Sequence, residues 1–232
     1  MRLAFLIGAL SVALAGPATA HRLARAQNSD AALLGVNSSK PAPIDGIAVR
    51  IESDIITDSE VEELSAYQKL VDGKSEARAE VIRELIDQWI VRGEASAAQY
   101  PQPSDADVDR ALAGLEKQFG SPEDFKARCA AAAISEAAVR RILTQQIYLA
   151  RFLDFRFRPA AQVDAVQVQK YYQDVLVPRL KAKSEKVPPV GDVEPEIREV
   201  LVQQEIDALS KQWLDDTRSG LTIDVLPQGE GQ

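Results

Sequence analysis

The sequence predicts a mainly α fold: a multi-helix body with a small antiparallel sheet formed by an N-terminal hairpin and a C-terminal strand. Three observations predict it. Between residues 57 and 219, apolar residues recur at helical spacing between recognisable caps. Near the front, Ile47, Val49 and Ile51 alternate with Ala48 and Arg50, then pass through a turn at Glu52-Ser53-Asp54 into Ile55-Ile56. Near the back, Leu221, Ile223 and Val225 alternate with Thr222 and Asp224. A lone hairpin is marginal in water and gains from a third strand. The tail is the other strand candidate, so the two ends of the chain are expected to meet.

The helices follow in order. Thr57-Asp58-Ser59-Glu60 is a capping box that opens a first helix carrying Val61, Leu64, Tyr67 and Leu70, and Gly73 closes it. A second is expected from about Ser75 to Ala97, with Val81, Ile82, Leu85, Ile86, Trp89 and Ile90 as its stripe and Pro101 and Pro103 beyond it. Ser104 caps a third, with Val108, Leu112, Leu115 and Phe119 on one face. Ser121-Pro122-Glu123 opens a short fourth, with proline at the first helical position. Ser135-Glu136 opens a fifth, bearing Val139, Ile142, Leu143, Ile147, Ala150 and Leu153 and ending before Pro159. A sixth is expected over Asp164 to Lys183, broken or kinked at Pro178. The last runs from Pro195 to Ser219, about 37 Å long at the helical rise per residue. Such a length predicts that it lies across several other helices.

Residues 1–20 carry Arg2, an apolar run from Leu3 to Ala15 and the small residues Ala18-Thr19-Ala20. They read as a signal peptide cleaved after Ala20 or, alternatively, after Ala26. The run is short against the ~20 residues a membrane helix needs, and no stable membrane insertion is expected after cleavage. Residues 21–43 read as a flexible leader. The chain carries 27 basic and 35 acidic side chains, a net charge of −8, which argues against a nucleic-acid partner. Cys129 is the single cysteine, set among alanines, so it is expected to be a small buried hydrophobe, and no internal disulfide is available. His21 is the single histidine and falls in the leader, which leaves no triad chemistry and no histidine-ligated metal site. Gly73, Gly93, Gly114 and Gly120 are isolated, so no phosphate loop is formed. The acidic pairs Glu62-Glu63 and Asp215-Asp216 fall on expected solvated faces. No catalytic residue, metal site or cofactor is therefore expected.

The order and spacing of these pieces resembles the N-terminal domain of SurA-like periplasmic chaperones. The likeness rests on Ile55-Ile56-Thr57-Asp58-Ser59-Glu60-Val61, Leu85-Ile86-Asp87-Gln88-Trp89-Ile90 and Pro103-Ser104-Asp105-Ala106-Asp107-Val108. It continues through Gln118-Phe119-Gly120-Ser121-Pro122-Glu123-Asp124-Phe125, Ile134-Ser135-Glu136 and Val168-Gln169-Lys170-Tyr171-Tyr172. The tail, Ile197-Arg198-Glu199-Val200-Leu201, Trp213-Leu214 and Thr222-Ile223-Asp224-Val225-Leu226, fits as well. The resemblance implies a helical domain over 44–183, a Pro-rich bridge over 184–194, and a helix and strand over 195–227 that complete the same domain. Such proteins usually carry parvulin-type prolyl isomerase domains in that interval. Here Gln173 to Pro195 is far below the ~50 residues an independent domain needs, so the isomerase is absent from this reading.

By the same resemblance, the expected function is an ATP-independent periplasmic holdase that binds unfolded client polypeptides, outer-membrane proteins among them. The alternative is a non-catalytic adaptor that holds one folded partner or dimerises through the long last helix. The candidate client-binding surface is the aromatic and basic end of the fifth helix: Tyr148, Arg151, Phe152, Phe155, Arg156 and Phe157, joined by Tyr171. Spacings of two and three spread these phenylalanines round the helix, so they cannot all enter one core. The bland alternative for the patch is a seat for the C-terminal helix. A second expected mode is addition of an extended client to an open edge of the small sheet.

Overall fold

The computed structural model describes residues 45–227. The signal peptide, both cleavage sites, His21 and the leader lie outside the described residues. Strands β1 (Ile47–Ile51) and β2 (Asp54–Thr57) form the expected hairpin, and β3 (Ile223–Val225) returns from the far end of the chain. The sheet order is β2-β1-β3, both pairings antiparallel, with Val49 opposite Val225 and Ile51 opposite Ile223.

The hairpin turn places Glu52 at φ 52°, in the left-handed region that non-glycine residues rarely occupy. The tail compensates. The Glu52 N–H donates to the Thr222 carbonyl, and the Thr222 N–H donates to the Glu52 carboxylate, at 3.0 and 2.7 Å. The strict alternation expected of β1 fails at Ala48. The register slips between Ile47 and Val49, a bulge that buries Ala48 and Val49 together. The expected alternation of the tail is realised in part: Leu221 and Ile223 pack against the core, whereas Val225 is 53% exposed.

Helix α1 (Asp58–Asp72) starts on the Thr57–Glu60 capping box and ends at Gly73, whose φ of 76° suits glycine. Helix α2 (Arg78–Ala97) starts three residues later than expected, without a side-chain cap. Gln68 accepts a hydrogen bond from the Glu76 N–H and so holds the linker outside the helix. Helix α3 (Asp105–Glu116) passes into a 3-10 turn, Lys117–Phe119, which takes Phe119 off the helical stripe. Helix α4 (Pro122–Ala132) and helix α5 (Glu136–Phe157) begin on Ser121 and Ser135 as read.

The expected sixth helix is three pieces in line: α6 (Ala165–Tyr171), a π turn (Tyr172–Leu176) and α7 (Val177–Ala182). The wide turn lies just ahead of Pro178, which cannot donate and whose ring crowds the preceding turn. Helix α8 (Val190–Ser219) is five residues longer at its start than expected, with Pro195 inside it. Its 30 residues span about 45 Å. Proline as a helix starter is satisfied one turn earlier: Pro189 precedes the first residue, so residues expected to form a bridge are helical. The interval from 173 to 195 holds only the end of the π turn, α7, a short loop and the first turn of α8.

One core joins the sheet to α1, α2, α4, α5 and the end of α8, where Leu214 is fully buried. Phe125 and Cys129 fill it from α4, and burial pushes the Cys129 thiol up. Val168 and Ile197, where α6 packs on α8, are buried outside that cluster. Among the described residues no helix is long and apolar enough to cross a membrane.

The C-terminal segment is locked by charge as well as by packing. Asp87 of α2, 4% exposed, is paired with Arg218 of α8. Burial pushes the Asp87 carboxyl up, and the guanidinium works against that. Arg218 also meets Asp215 at 2.8 Å, and Lys211 is a second partner of that carboxylate. These cations draw Asp215 down to about 2.

Arg218→Ala should lower stability by about 3–5 kcal/mol in urea unfolding, because Asp87 is left buried without its partner. Asp215 has a folded pKa below its unfolded value, so its contribution is complete above the ordinary carboxylate range and is lost as pH falls through about 2. Asp215→Asn should therefore lower the urea midpoint at neutral pH, and the gap from wild type should close as the pH falls from about 4 towards 2.

Candidate functional site

The seven residues expected to form one surface do not do so. Tyr148 and Phe152 are 5% and 2% exposed, so both belong to the core and neither can meet a client there. Phe152 stacks edge-on against Tyr100 at 5.6 Å, and the Tyr148 hydroxyl reaches the Tyr100 carbonyl at 3.4 Å. Phe157 packs on Trp213 of α8 at 5.7 Å, and the Arg156 guanidinium lies 4.7 Å from the Trp213 ring. This part of the patch is the seat for the C-terminal helix. Arg151 is held by Asp107 at 3.0 Å, and Arg156 by Glu94 at 3.2 Å. Tyr171 is half-buried on α6. Phe155 alone among the aromatics of the set is open, 62% exposed beside Tyr100. The sequence resolved the angular spread of the phenylalanines. It did not show that Tyr100, from the loop after α2, would pack on Tyr148, Phe152 and Phe155 along one face of α5.

A different place has the shape of a binding site. A groove of about 360 Å³ lies between β2, α1, α2 and α5. Its apolar surface comes from Ile56 of β2, Leu64 of α1, Leu85 and Trp89 of α2, and Ile142 of α5. Helical spacing explains the set: Leu85, Gln88, Trp89 and Arg92 share one face of α2, as Arg141, Ile142, Gln145 and Gln146 do on α5. Trp89 is fixed where its indole N–H donates to the Asp54 carboxylate at 3.0 Å. Glu63 of α1 and Arg141 of α5 close an ion pair of 2.6 Å between two of the walls.

The polar wall is ordered by a relay of amides. Gln145 Nε2 donates to Gln88 Oε1 at 3.0 Å, and Gln88 Nε2 donates to Glu84 at 3.2 Å. Gln68 holds the other Glu84 oxygen at 3.0 Å. Burial pushes the Glu84 carboxyl up, while the two amides favour its ionised form. The Tyr67 hydroxyl donates to Gln146 Oε1 at 3.1 Å, and burial pushes this phenol up to about 12, so it remains a donor at neutral pH. After these bonds, Gln145 keeps an acceptor oxygen and Gln146 a donor amide, with no partner among the described residues. A mixed wall of this kind matches the donor and acceptor of a peptide backbone. Sequence reading placed Trp89, Leu64 and Leu85 in core stripes and passed over the glutamines. The clustering of Gln88, Gln145 and Gln146 at inward positions of two helices was the available signal.

No protein-family model and no curated protein matches the chain. Among solved structures it is similar to a chain from a pair of structurally related SurA-like chaperones of Campylobacter jejuni, the virulence factor PEB4 and the periplasmic protein Cj1289. The likeness covers 78% of this chain and 99% of that one, at 12% identity and a TM-score of 0.46. At that score it is a loose likeness of fold and no more.

Phe152→Ala should cost about 3–5 kcal/mol in urea unfolding, as a cavity in the core does. Phe155→Ala should cost less than about 1 kcal/mol. Similar costs for the two would contradict the division of the patch into core and surface.

Proposed function

We propose that the protein is an ATP-independent holdase of the periplasm, which captures unfolded polypeptides, outer-membrane proteins among them, without prolyl isomerase activity. The observation that carries this reading is the groove between β2, α1, α2 and α5. It combines an apolar floor with an uncommitted amide donor and acceptor. A side chain that buries ~150 Å² there contributes about 4 kcal/mol before ordering costs are subtracted. That magnitude suits weak, reversible capture of many sequences. The sequence resemblance to SurA-like chaperones and the signal peptide read at residues 1–20 point the same way.

A second reading is supported by the arm made of α6, the π turn, α7 and the first half of α8. Val166, Val175 and Val200 on it are 75%, 42% and 41% exposed. In that reading the protein is an adaptor that holds one folded partner or pairs with itself through α8. Sedimentation equilibrium separates the self-pairing form: a dimer weakened by Val200→Lys supports it, and a monomer at all concentrations removes it.

The holdase reading is tested by diluting a chemically denatured β-barrel membrane protein into buffer with the exported protein. Light scattering should fall as the molar ratio rises. Ile142→Trp, which fills the groove, should weaken that protection several-fold while circular dichroism stays unchanged. Undiminished scattering at every ratio would sink the reading.

A further inference from the structure

We propose that β2 accepts an extended segment of another polypeptide as a fourth strand of the sheet. The segment carries apolar side chains at alternate positions and a carboxylate that meets Arg92. This rests on the polypeptide-binding reading above and specifies which polypeptides the groove takes.

Among the described residues the sheet has two open edges, since β1 lies between β2 and β3. The groove distinguishes them, because Ile56 of β2 is one of its walls. Successive residues of a strand face opposite sides of a sheet. Ile56 is 3% exposed and turned to the groove, whereas Ile55 is 50% exposed on the other side. A strand laid beside β2 repeats that alternation. One of its side chains enters the groove next to Ile56, Trp89 and Ile142, and the next pairs with Ile55 on the outer face. The groove's 360 Å³ is room for one large aromatic side chain. Ile56 is already packed in the core, so the outer face of β2 gains apolar cover at Ile55 only from a partner that is apolar on both faces.

Charge sets the polar part of the partner. Arg141 on the wall is engaged by Glu63, and Glu60 is committed to the Thr57 capping box. Arg92, exposed on the same face of α2 as Trp89, has no ion pair among the described residues. The Glu60 carboxylate is turned to the Thr57 backbone, which leaves Arg92 as the groove cation without an ionic partner among the described residues, and the group complementary to it is a carboxylate. Four residues of β2 offer few main-chain hydrogen bonds, so the added strand is held weakly and released readily.

The test uses the exported protein carrying Trp213→Phe, which leaves Trp89 as the single tryptophan. The probe is a capped hexapeptide of alternating Phe/Val and Thr with one Glu, titrated while Trp89 emission is followed. Binding should saturate. N-methylation of alternate peptide nitrogens should weaken it at least about tenfold, because a strand loses its ladder while its side chains are unchanged. Replacing the peptide's Glu by Lys should weaken binding about fivefold, and Arg92→Glu should reverse that preference. Hydrogen exchange on the unsubstituted protein is the second measurement: the probe should slow exchange of β2 amides and leave β3 unaffected. Equal affinity of the N-methylated peptide, protection at β3 instead of β2, or an Arg92→Glu variant with unchanged preference would each overturn the proposal. Strand addition fails alone if aggregation is still suppressed while these signatures are missing. The holdase reading fails alone if the probe binds as described but scattering is not reduced.

Discussion

The buried pairing of Asp87 with Arg218 sits where the two ends of the chain are joined. One turn before Arg218, Leu214 enters the common core; a few residues after it, β3 completes the sheet. The partners are 131 positions apart in sequence. Closing such a loop is an entropic cost that local helix formation cannot offset. The C-terminal segment meets it with several weak contributions at once: a packed leucine, an ionic lock, three strand residues and the bonds that relieve the left-handed Glu52. None suffices alone. Together they make the N-terminal hairpin part of a globule where it would otherwise be a marginal ribbon.

That closure also positions the groove. With β3 on one side of β1, β2 is left at the opposite edge, facing the helices. Ile56 belongs to both the sheet and the groove, and Asp54 holds Trp89 against it. The walls from α1, α2 and α5 are fixed by two separate sets of bonds, Tyr67 to Gln146 and Gln145 through Gln88 to Glu84 and Gln68, so the polar groups facing inward keep their orientation. The groove is thus a by-product of how the sheet is completed.

Much of this architecture was legible in the sequence because its signals are local. Thr57-Glu60, Ser104-Asp107 and Asp164-Gln167 all form reciprocal capping boxes, and Gly73 takes the conformation that its place demands. The register of Val49 and Ile51 with the tail follows from alternation on both strands. What was not legible depended on neighbours. The bulge at Ala48 is set by the partner strands. Helix α8 extends past Pro195 because Pro189 already starts it. Tyr148 and Phe152 are buried because a loop tyrosine from elsewhere covers them. The groove escaped for a similar reason: Gln88 and Gln145 are 57 positions apart, and no single helix reveals that they face each other.

The short connection between α7 and α8 has a further consequence. Ser184 there adopts φ 58°, and the Tyr172 hydroxyl donates to the Pro188 carbonyl at 2.8 Å, tying the far side of this turn back to the π turn. The connection is largely exposed. Such a site tolerates grafting, since foreign sequence spliced in there disturbs none of the residues that hold the body together. Lengthening the chain at this point therefore leaves the packing of the body beneath it unchanged.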